Sequence, residues 1–428
     1  MKHVIILGDG MADHAVDRLG GKTLLQYADT PNMDRVARLG RTGRLITVPD
    51  TLHPGSEVAN ATILGYDMTR LYEGRGPLEA ASIGYDMLPA DLALRCNIVC
   101  LDNGRIKNHH GGHLTTQQSD ALIDLLNSQL GDSRVRFIRG IQYRHLLIIR
   151  GGNKHVVCAP PHDHPTELWR PLLVKPEPGY EDGTPGCAES MDENSVQGRM
   201  TPQQTADLLN RLIIESQTVL ASAPLNIARR DKGDDTANSI WPWGGGYRPQ
   251  MLKLQQMYPQ IKRGDVISAV DLIRGIGHYA GLNNIIVPGA TGLADTNYEG
   301  KAQAALDALS KDDFVFVHVE ASDEAGHDGD LDLKLRTIEN LDRRMVGPIF
   351  NEVSEWDEPV ALAVMPDHPT PVEIRTHLRE PVPFAVWHPG IRPDSVTSYD
   401  EVSCVSGGYG MLQLTEFMDM FMRIEENE

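Results

Sequence analysis

The 428-residue chain reads as an α/β protein with a mostly parallel sheet, on two observations. Short apolar runs, Ile5-Ile6-Leu7, Phe314-Val315-Phe316-Val317-His318-Val319 and Val360 to Met365, have the length and continuity of strands buried on both faces. Each run is followed closely by Gly, Asp or His, so polar side chains collect at strand carboxyl ends, where α/β sheets place their ligands.

Taken in order, a strand over 3–8 delivers Gly8-Asp9-Gly10. A helix follows from about Pro31-Asn32-Met33-Asp34 to Leu39. In His53-Pro54-Gly55-Ser56-Glu57 the Pro-Gly pair forces a turn before a helix-compatible run, which leaves Ser56 as either a helix N-cap or an activated nucleophile. Residues 1–87 thus form the first part of an α/β core. Residues 88–235 carry no candidate metal ligand and read as an inserted α/β domain, with a strand at Leu146 to Arg150 and a helix from Pro202 to Leu220. The Pro/Gly/Glu-rich stretch Pro176 to Gly186 reads as a surface loop.

Trp241-Pro242-Trp243-Gly244-Gly245-Gly246 reads as a turn between domains. Residues 236–428 resume the core. The strand at 314–319 leads into a loop carrying Asp323-Glu324-Ala325-Gly326-His327, where the glycine lets the chain turn and the Asp and His aim at one point. Val360 to Met365 delivers Pro366-Asp367-His368, and His377 follows just before an extended run from Val382 to Trp387.

Asp9, Ser56, Asp323, His327, Asp367, His368 and His377 are therefore the residue types needed to hold two divalent metal ions around one hydroxyl. Mixed carboxylate and imidazole donors suit Zn²⁺ or Mn²⁺ better than Ca²⁺ or Mg²⁺, which prefer oxygen alone.

Composition sets limits. With 41% apolar residues the chain can bury a core, and a net charge of -19 argues against nucleic acid or an anionic membrane as partner. Cys96, Cys100, Cys158, Cys187 and Cys404 are odd in number and scattered, as expected of reduced thiols in a cytoplasmic protein; Cys96 and Cys100 read as small buried hydrophobes. The apolar run before Gly8 is too short for a signal peptide. Oligomeric state is not legible. Gly21-Lys22-Thr23 lacks the upstream glycine of a phosphate-binding loop and reads as a helix start, and Asp13 stands where a dinucleotide-binding loop needs its third glycine. His109, His110 and His113, beside Gly111 and Gly112, read as a solvated loop rather than a metal site.

Gly8-Asp9-Gly10-Met11, Gly55-Ser56-Glu57-Val58-Ala59, Asp323-Glu324-Ala325-Gly326-His327, Pro366-Asp367-His368 and His377, in this order, resemble the alkaline phosphatase superfamily. More narrowly they resemble its archaeal-type cofactor-independent phosphoglycerate mutases, as do Tyr72-Glu73-Gly74-Arg75-Gly76-Pro77-Leu78-Glu79-Ala80, Leu94-Arg95-Cys96-Asn97, Pro288-Gly289-Ala290-Thr291-Gly292 and Asp295-Thr296-Asn297-Tyr298. The resemblance spans nearly the whole chain. It implies an alkaline phosphatase-like core, one ion on Asp323, His327 and His377, a second on Asp9, Ser56, Asp367 and His368, and a phosphorylated Ser56. It also implies a small phosphorylated metabolite as substrate, an inserted domain that closes to exclude water, and arginine contacts from Arg144, Arg229 and Arg274, whose guanidinium forks match phosphate and carboxylate.

The chain departs from the family after Asp102-Asn103-Gly104-Arg105-Ile106, where Lys107-Asn108-His109-His110-Gly111-Gly112-His113 replaces an arginine-bearing segment. A homoserine kinase-like subgroup resembling these mutases gives an alternative, a phosphotransferase making O-phosphohomoserine. A metal-stabilised binding protein without turnover is the second alternative.

Overall fold

The computed structural model describes residues 1–180 and 199–424. The chain divides into two compact units, Met1–Tyr72 with Gln250–Glu428, and Glu73–Pro249. The inserted unit is wider than residues 88–235 because the helix Arg75–Ser82 and the strand Ser239–Gly246 both pack on the strand Asp91–Asp102.

The first unit is built on an eight-stranded sheet in the order Asn283–Ile285, Gly264–Ile267, Phe314–Val319, Lys2–Gly8, Val360–Met365, Val382–Trp387, Arg41–Ile46, Gly410–Gln413. Only Val382–Trp387 runs antiparallel to its neighbours. The central strand Lys2–Gly8 is buried at every residue, which explains its unbroken apolar character. Val4, Ile6, Val315, Val317, Leu362 and Val364 join one core with Met33, Val36, Ile338, Leu341 and Phe350 from the covering helices. Truncating one of these, as in Ile6→Ala, removes a fully buried side chain at a cost of about 2–5 kcal/mol.

The second unit is an antiparallel sheet, Arg105–Asn108, Asp91–Asp102, Arg144–Arg150, Val135–Ile141, with Ser239–Gly246 also on Asp91–Asp102. Leu92, Leu94, Cys96, Leu147 and Ile149 pack with the helices Thr116–Leu130 and Pro202–Ala221, while Ala93, Leu146 and Ile148 pack with Ala80 and Met87. This is the period-2 alternation of a strand covered on both faces. The segment 241–246 is therefore strand, not an interdomain turn. Trp241 and Trp243 bury their rings, and Pro242 is tolerated because it lies on an edge that needs no further ladder donor.

Cys96 and Cys100 are buried in the strand Asp91–Asp102, and Cys96, Cys100, Cys158 and Cys404 are free thiols. Lys175–Pro176 pairs with Val156–Val157, so the surface loop read over 176–186 begins as a strand; residues 181–186 and Cys187 lie outside the described residues. Thr23 starts a helix through a capping box with Gln26, as the sequence predicts. No helix among the described residues is long and apolar enough to cross a membrane.

Candidate metal centre

Parallel pairing sets the geometry. Gly8 is level with Val319 and Leu7 with Met365, so the chain leaves three adjacent strands at one edge and delivers Asp9, Asp323, Asp367 and His368 there. Asp9 is fully buried; its Oδ2 lies 2.7 Å from His318 Nε2, and its Oδ1 has no hydrogen-bond partner. Gly10 donates its N–H to Asp367 Oδ1 at 3.0 Å. It sits at φ +59°, and a Cβ there would meet Asp323 Cα at 2.7 Å, so only glycine lets the two loops approach. Lys334, also buried, donates to Asp13 Oδ2 (2.7 Å), Ala12 O (3.2 Å) and Thr370 O (2.8 Å), fastening the loop after the first strand to the loop after Val360–Met365.

Asp323 and His327 lie on a helix, Ala321–Asp328, rather than in the loop read from the sequence. Their four-residue spacing puts both on one face, His327 Nε2 3.2 Å from Asp323 Oδ2. Gly326 serves packing instead of a turn, since a Cβ would collide with the Thr370 carbonyl. His377 brings its Nε2 to 3.4 Å from Asp323 Oδ1 and 2.8 Å from His327 Nε2.

Ser56 opens the helix Ser56–Ile63, but Gly55 is its N-cap and the Ser56 side chain makes no capping bond. Its Oγ is instead 3.1 Å from His368 Nε2. Asn60, one turn on, donates to Ser56 O (2.9 Å) and Asp367 Oδ2 (2.8 Å) and so ties the serine helix to the strand-end carboxylate.

The electrostatics fit cations. Burial, then the neighbouring Asp367, pushes the Asp9 carboxyl well above its ordinary value, the mark of a negative charge lacking compensation. Burial also acts on Asp323, but hydrogen bonds from His327 and His377 overcome it and hold that carboxyl well below the usual range. His327 is pushed up to about 9 by Asp323, whereas burial lowers His368 and favours its neutral, ligating form. Ligand atoms of Asp323, His368 and His377, and those of Asp9, Asp367 and His368, lie within 4.8 Å of one another. The donor set and the orphaned Asp9 oxygen both suit divalent metal.

A third such set, Asp9, His318 and Glu320, was missed in the sequence. The signal was a histidine inside an otherwise apolar buried strand. His318 Nδ1 lies 3.1 Å from Ser268 Oγ, and burial keeps the ring neutral. Burial, then Asp323, pushes Glu320 up to about 8. Thr370, whose hydroxyl donates to Asp323 Oδ1 at 2.5 Å, was missed as well.

The arginines fall on both units: Arg274 in the first, Arg144 and Arg229 in the inserted one. Arg274, half-buried on Asp271–Tyr279, donates to Asp271 at 3.2 Å and keeps an unpartnered Nε. In the inserted unit Arg144 is exposed, its guanidinium 5.1 Å from the Tyr143 ring centre. Arg229 donates to Gly111 O (2.7 Å), Asp235 O (3.1 Å) and Gln118 Oε1 (3.2 Å).

A mostly parallel sheet whose strand ends converge on carboxylates, imidazoles and a buried serine defines the class: an α/β protein with a candidate divalent-metal centre at the carboxyl edge of its sheet. The family model described as 2,3-bisphosphoglycerate-independent phosphoglycerate mutase matches residues 37–226. Proteins of that name from Methanosarcina acetivorans (44% identical, covering 99% of this chain and 100% of that one) and, as mutase 2, Methanothermobacter thermautotrophicus (45%, 99% and 97%) align almost end to end. The chain belongs to the 2,3-bisphosphoglycerate-independent phosphoglycerate mutase family. Among solved structures, a Pyrococcus horikoshii protein matches with TM-score 0.80 at 28% identity over 100% of this chain and 98% of that one. The cofactor-independent phosphoglycerate mutase of Thermoplasma acidophilum shares the fold, with TM-score 0.67 at 24% identity over 99% and 100%.

Proposed function

We propose that the protein interconverts 3-phosphoglycerate and 2-phosphoglycerate through a phosphoserine at Ser56, without added 2,3-bisphosphoglycerate. The observation that carries this reading is the position of Ser56: buried, free of any capping bond, and 3.1 Å from His368 within the convergence of strand-end carboxylates. Family membership supplies the substrate class.

Ser56 Oγ gives up its proton and forms a bond to phosphorus as the bond to the substrate's 3-oxygen breaks; that oxygen takes up a proton, and glycerate is released within the site. Its 2-oxygen then takes the group back and frees the serine. Ser56 stands at the first turn of its helix, where Val58 and Ala59 N–H both return to Gly55 O and the dipole's positive end faces the incoming negative charge. Asn60 and Asp367 fix the serine backbone against the sheet edge. Two divalent cations, one on Asp323, His327 and His377 and one on Asp9, Ser56, Asp367 and His368, would neutralise phosphoryl charge and acidify the serine hydroxyl. Zn²⁺ and Mn²⁺ both suit these donors.

The test is ³¹P NMR of reactions run with Mn²⁺-loaded protein and then stripped of the ion, one tube with 3-phosphoglycerate alone and one with homoserine and ATP. A 2-phosphoglycerate resonance in the first tube is expected. O-phosphohomoserine in the second tube alone would replace the mutase with a kinase, and silence in both would leave a metal-stabilised binding protein.

A further inference from the structure

The inserted unit holds a cavity of about 360 Å³ whose walls come from three parts of its sequence. One wall is the end of the strand Asp91–Asp102 and the turn Asn103-Gly104, where two left-handed residues (φ 47° and 74°) make the tight hairpin into Arg105–Asn108. A second is Trp169, buried and held by its backbone N–H on Gly104 O at 3.1 Å. The third is the carboxyl end of the helix Pro202–Ala221 together with the helix Pro224–Lys232 that follows it. Side-chain amides fix these walls. Asn226 donates to Leu220 O (2.9 Å) and Ala237 O (2.8 Å) and accepts the Ala237 N–H, while Asn238 exchanges two 2.8 Å bonds with the Leu101 backbone. The cavity is therefore built into the fold, and it is of a size that takes a small molecule.

Its lining leaves polar groups unused. Gln217 Nε2 is buried without a hydrogen-bond partner, a costly state for an amide donor unless an acceptor enters the cavity. The Trp169 indole N–H also donates no hydrogen bond among the described residues, although buried indoles usually find an acceptor. Arg230 gives one bond, from Nη2 to Ala221 O at 3.0 Å, and the rest of its fork is unengaged among the described residues. Asp102 forms no ion pair among them. The charges next along the chain do not compensate these two, because Lys107 and Asp235 pair with each other at 2.5 Å and Asp235 also accepts from Asn108. One cation, one anion and two N–H donors thus face a space whose apolar surface is Leu101 and the indole. No cysteine, histidine or serine lines it, so it has the means to bind a molecule and no nucleophile of that kind to transform one.

We propose that this cavity is a non-catalytic binding site for a free α-amino acid whose side chain ends in a hydrogen-bond acceptor, of the glutamine kind. The α-carboxylate pairs with the Arg230 fork and the α-ammonium with Asp102. The side-chain carbonyl accepts from Gln217 and Trp169, and the methylenes lie along Leu101 and the indole. A ligand with only a negative group leaves Asp102 opposing it, and one with only a positive group leaves Arg230 opposing it, so the pair selects a zwitterion. Nothing in this inference depends on the mutase reading.

The test is calorimetric titration of the full-length protein with L-glutamine, L-leucine, N-acetyl-L-glutamine, which lacks the ammonium, and L-glutaminamide, which lacks the carboxylate. L-glutamine should bind, and each of the other three should bind more weakly by about tenfold or more. Each variant should erase one preference. Asp102→Asn should bring glutamine down to N-acetylglutamine, Arg230→Gln should bring it down to glutaminamide, and Gln217→Leu should bring it down to leucine while leaving leucine itself no weaker. Asp102 and Arg230 are exposed, so these two variants carry the test if Gln217→Leu fails to fold. Absence of glutamine binding would make the cavity a solvent pocket and overturn the proposal. Equal binding of glutamine and its two blocked forms, or glutamine affinity unchanged in folded Asp102→Asn and Arg230→Gln proteins, would overturn it as well.

Discussion

His318 governs Asp9, and replacing it with leucine isolates that control. The ring is fully buried in the strand Phe314–Val319, so leucine keeps an apolar side chain of similar bulk there while deleting the 2.7 Å hydrogen bond to Asp9 Oδ2. Asp9 Oδ1 has no hydrogen-bond partner, only His368 Nε2 at 3.5 Å, so the variant leaves the buried carboxylate without its shortest imidazole contact. Because burial drives the metal-free Asp9 carboxyl toward its neutral form, loss of the hydrogen bond costs about 0.5–1.5 kcal/mol of metal-free stability. The larger effect falls on metal affinity. Partners that orient a ligating carboxylate or imidazole are typically worth 10–100-fold in binding, which corresponds to about 1.4–2.7 kcal/mol. Chelator competition with Zn²⁺ and Mn²⁺ should show that drop with the number of ions per chain unchanged, and His318→Gln, which keeps an N–H, should recover part of it. Wild-type affinity in a folded His318→Leu protein would refute the orienting role, and loss of one whole ion would make His318 a ligand instead.

Other expectations follow from the same geometry. Ser56→Ala should abolish phosphoryl transfer in the ³¹P assay yet move the urea midpoint by less than a capping loss of about 1 kcal/mol, because Gly55 holds the cap. His3, buried in the first strand, is lowered to about 3, chiefly by burial. The unfolded chain therefore binds the proton first, so this contribution is intact above pH 6.5 and lost as pH falls toward 3. Acidification from pH 7 to 4.5 should cost wild type roughly 2–3 kcal/mol more than His3→Gln in urea unfolding, and equal losses would refute it. Arg229→Lys should surrender two of the three hydrogen bonds around the histidine loop, cost the inserted unit about 2 kcal/mol, and speed tryptic cleavage after Lys107.

The candidate ligands were legible because buried parallel strands write continuous apolar runs and their ends stand out as polar interruptions. What escaped was what depends on distant partners. His318 alone in an apolar run looks like a core histidine, and its meaning comes from Asp9, 309 residues away. Gly326 looks like a hinge until the Thr370 carbonyl is seen against it. Trp241 to Gly246 has the composition of a turn, and only pairing with Asp91–Asp102 makes it an edge strand. Ser56 could not be separated from a cap by local sequence, since Gly55 fills that role equally well. Arg229 shows the opposite limit: its charge signals a ligand contact, while the structure engages three of its five N–H donors with Gly111, Asp235 and Gln118.

The central strand Lys2–Gly8 has both of its neighbours, Phe314–Val319 and Val360–Met365, more than three hundred residues downstream. During synthesis at about 5–20 residues per second, Val4-Ile5-Ile6-Leu7 would wait roughly 20–70 s before both flanks had left the ribosome. The inserted residues 73–249 are complete long before that. The amino-terminal strand thus spends its first minute as an exposed, aggregation-prone hydrophobic segment, and the yield of active protein in a cell should depend on a chaperone that shields it.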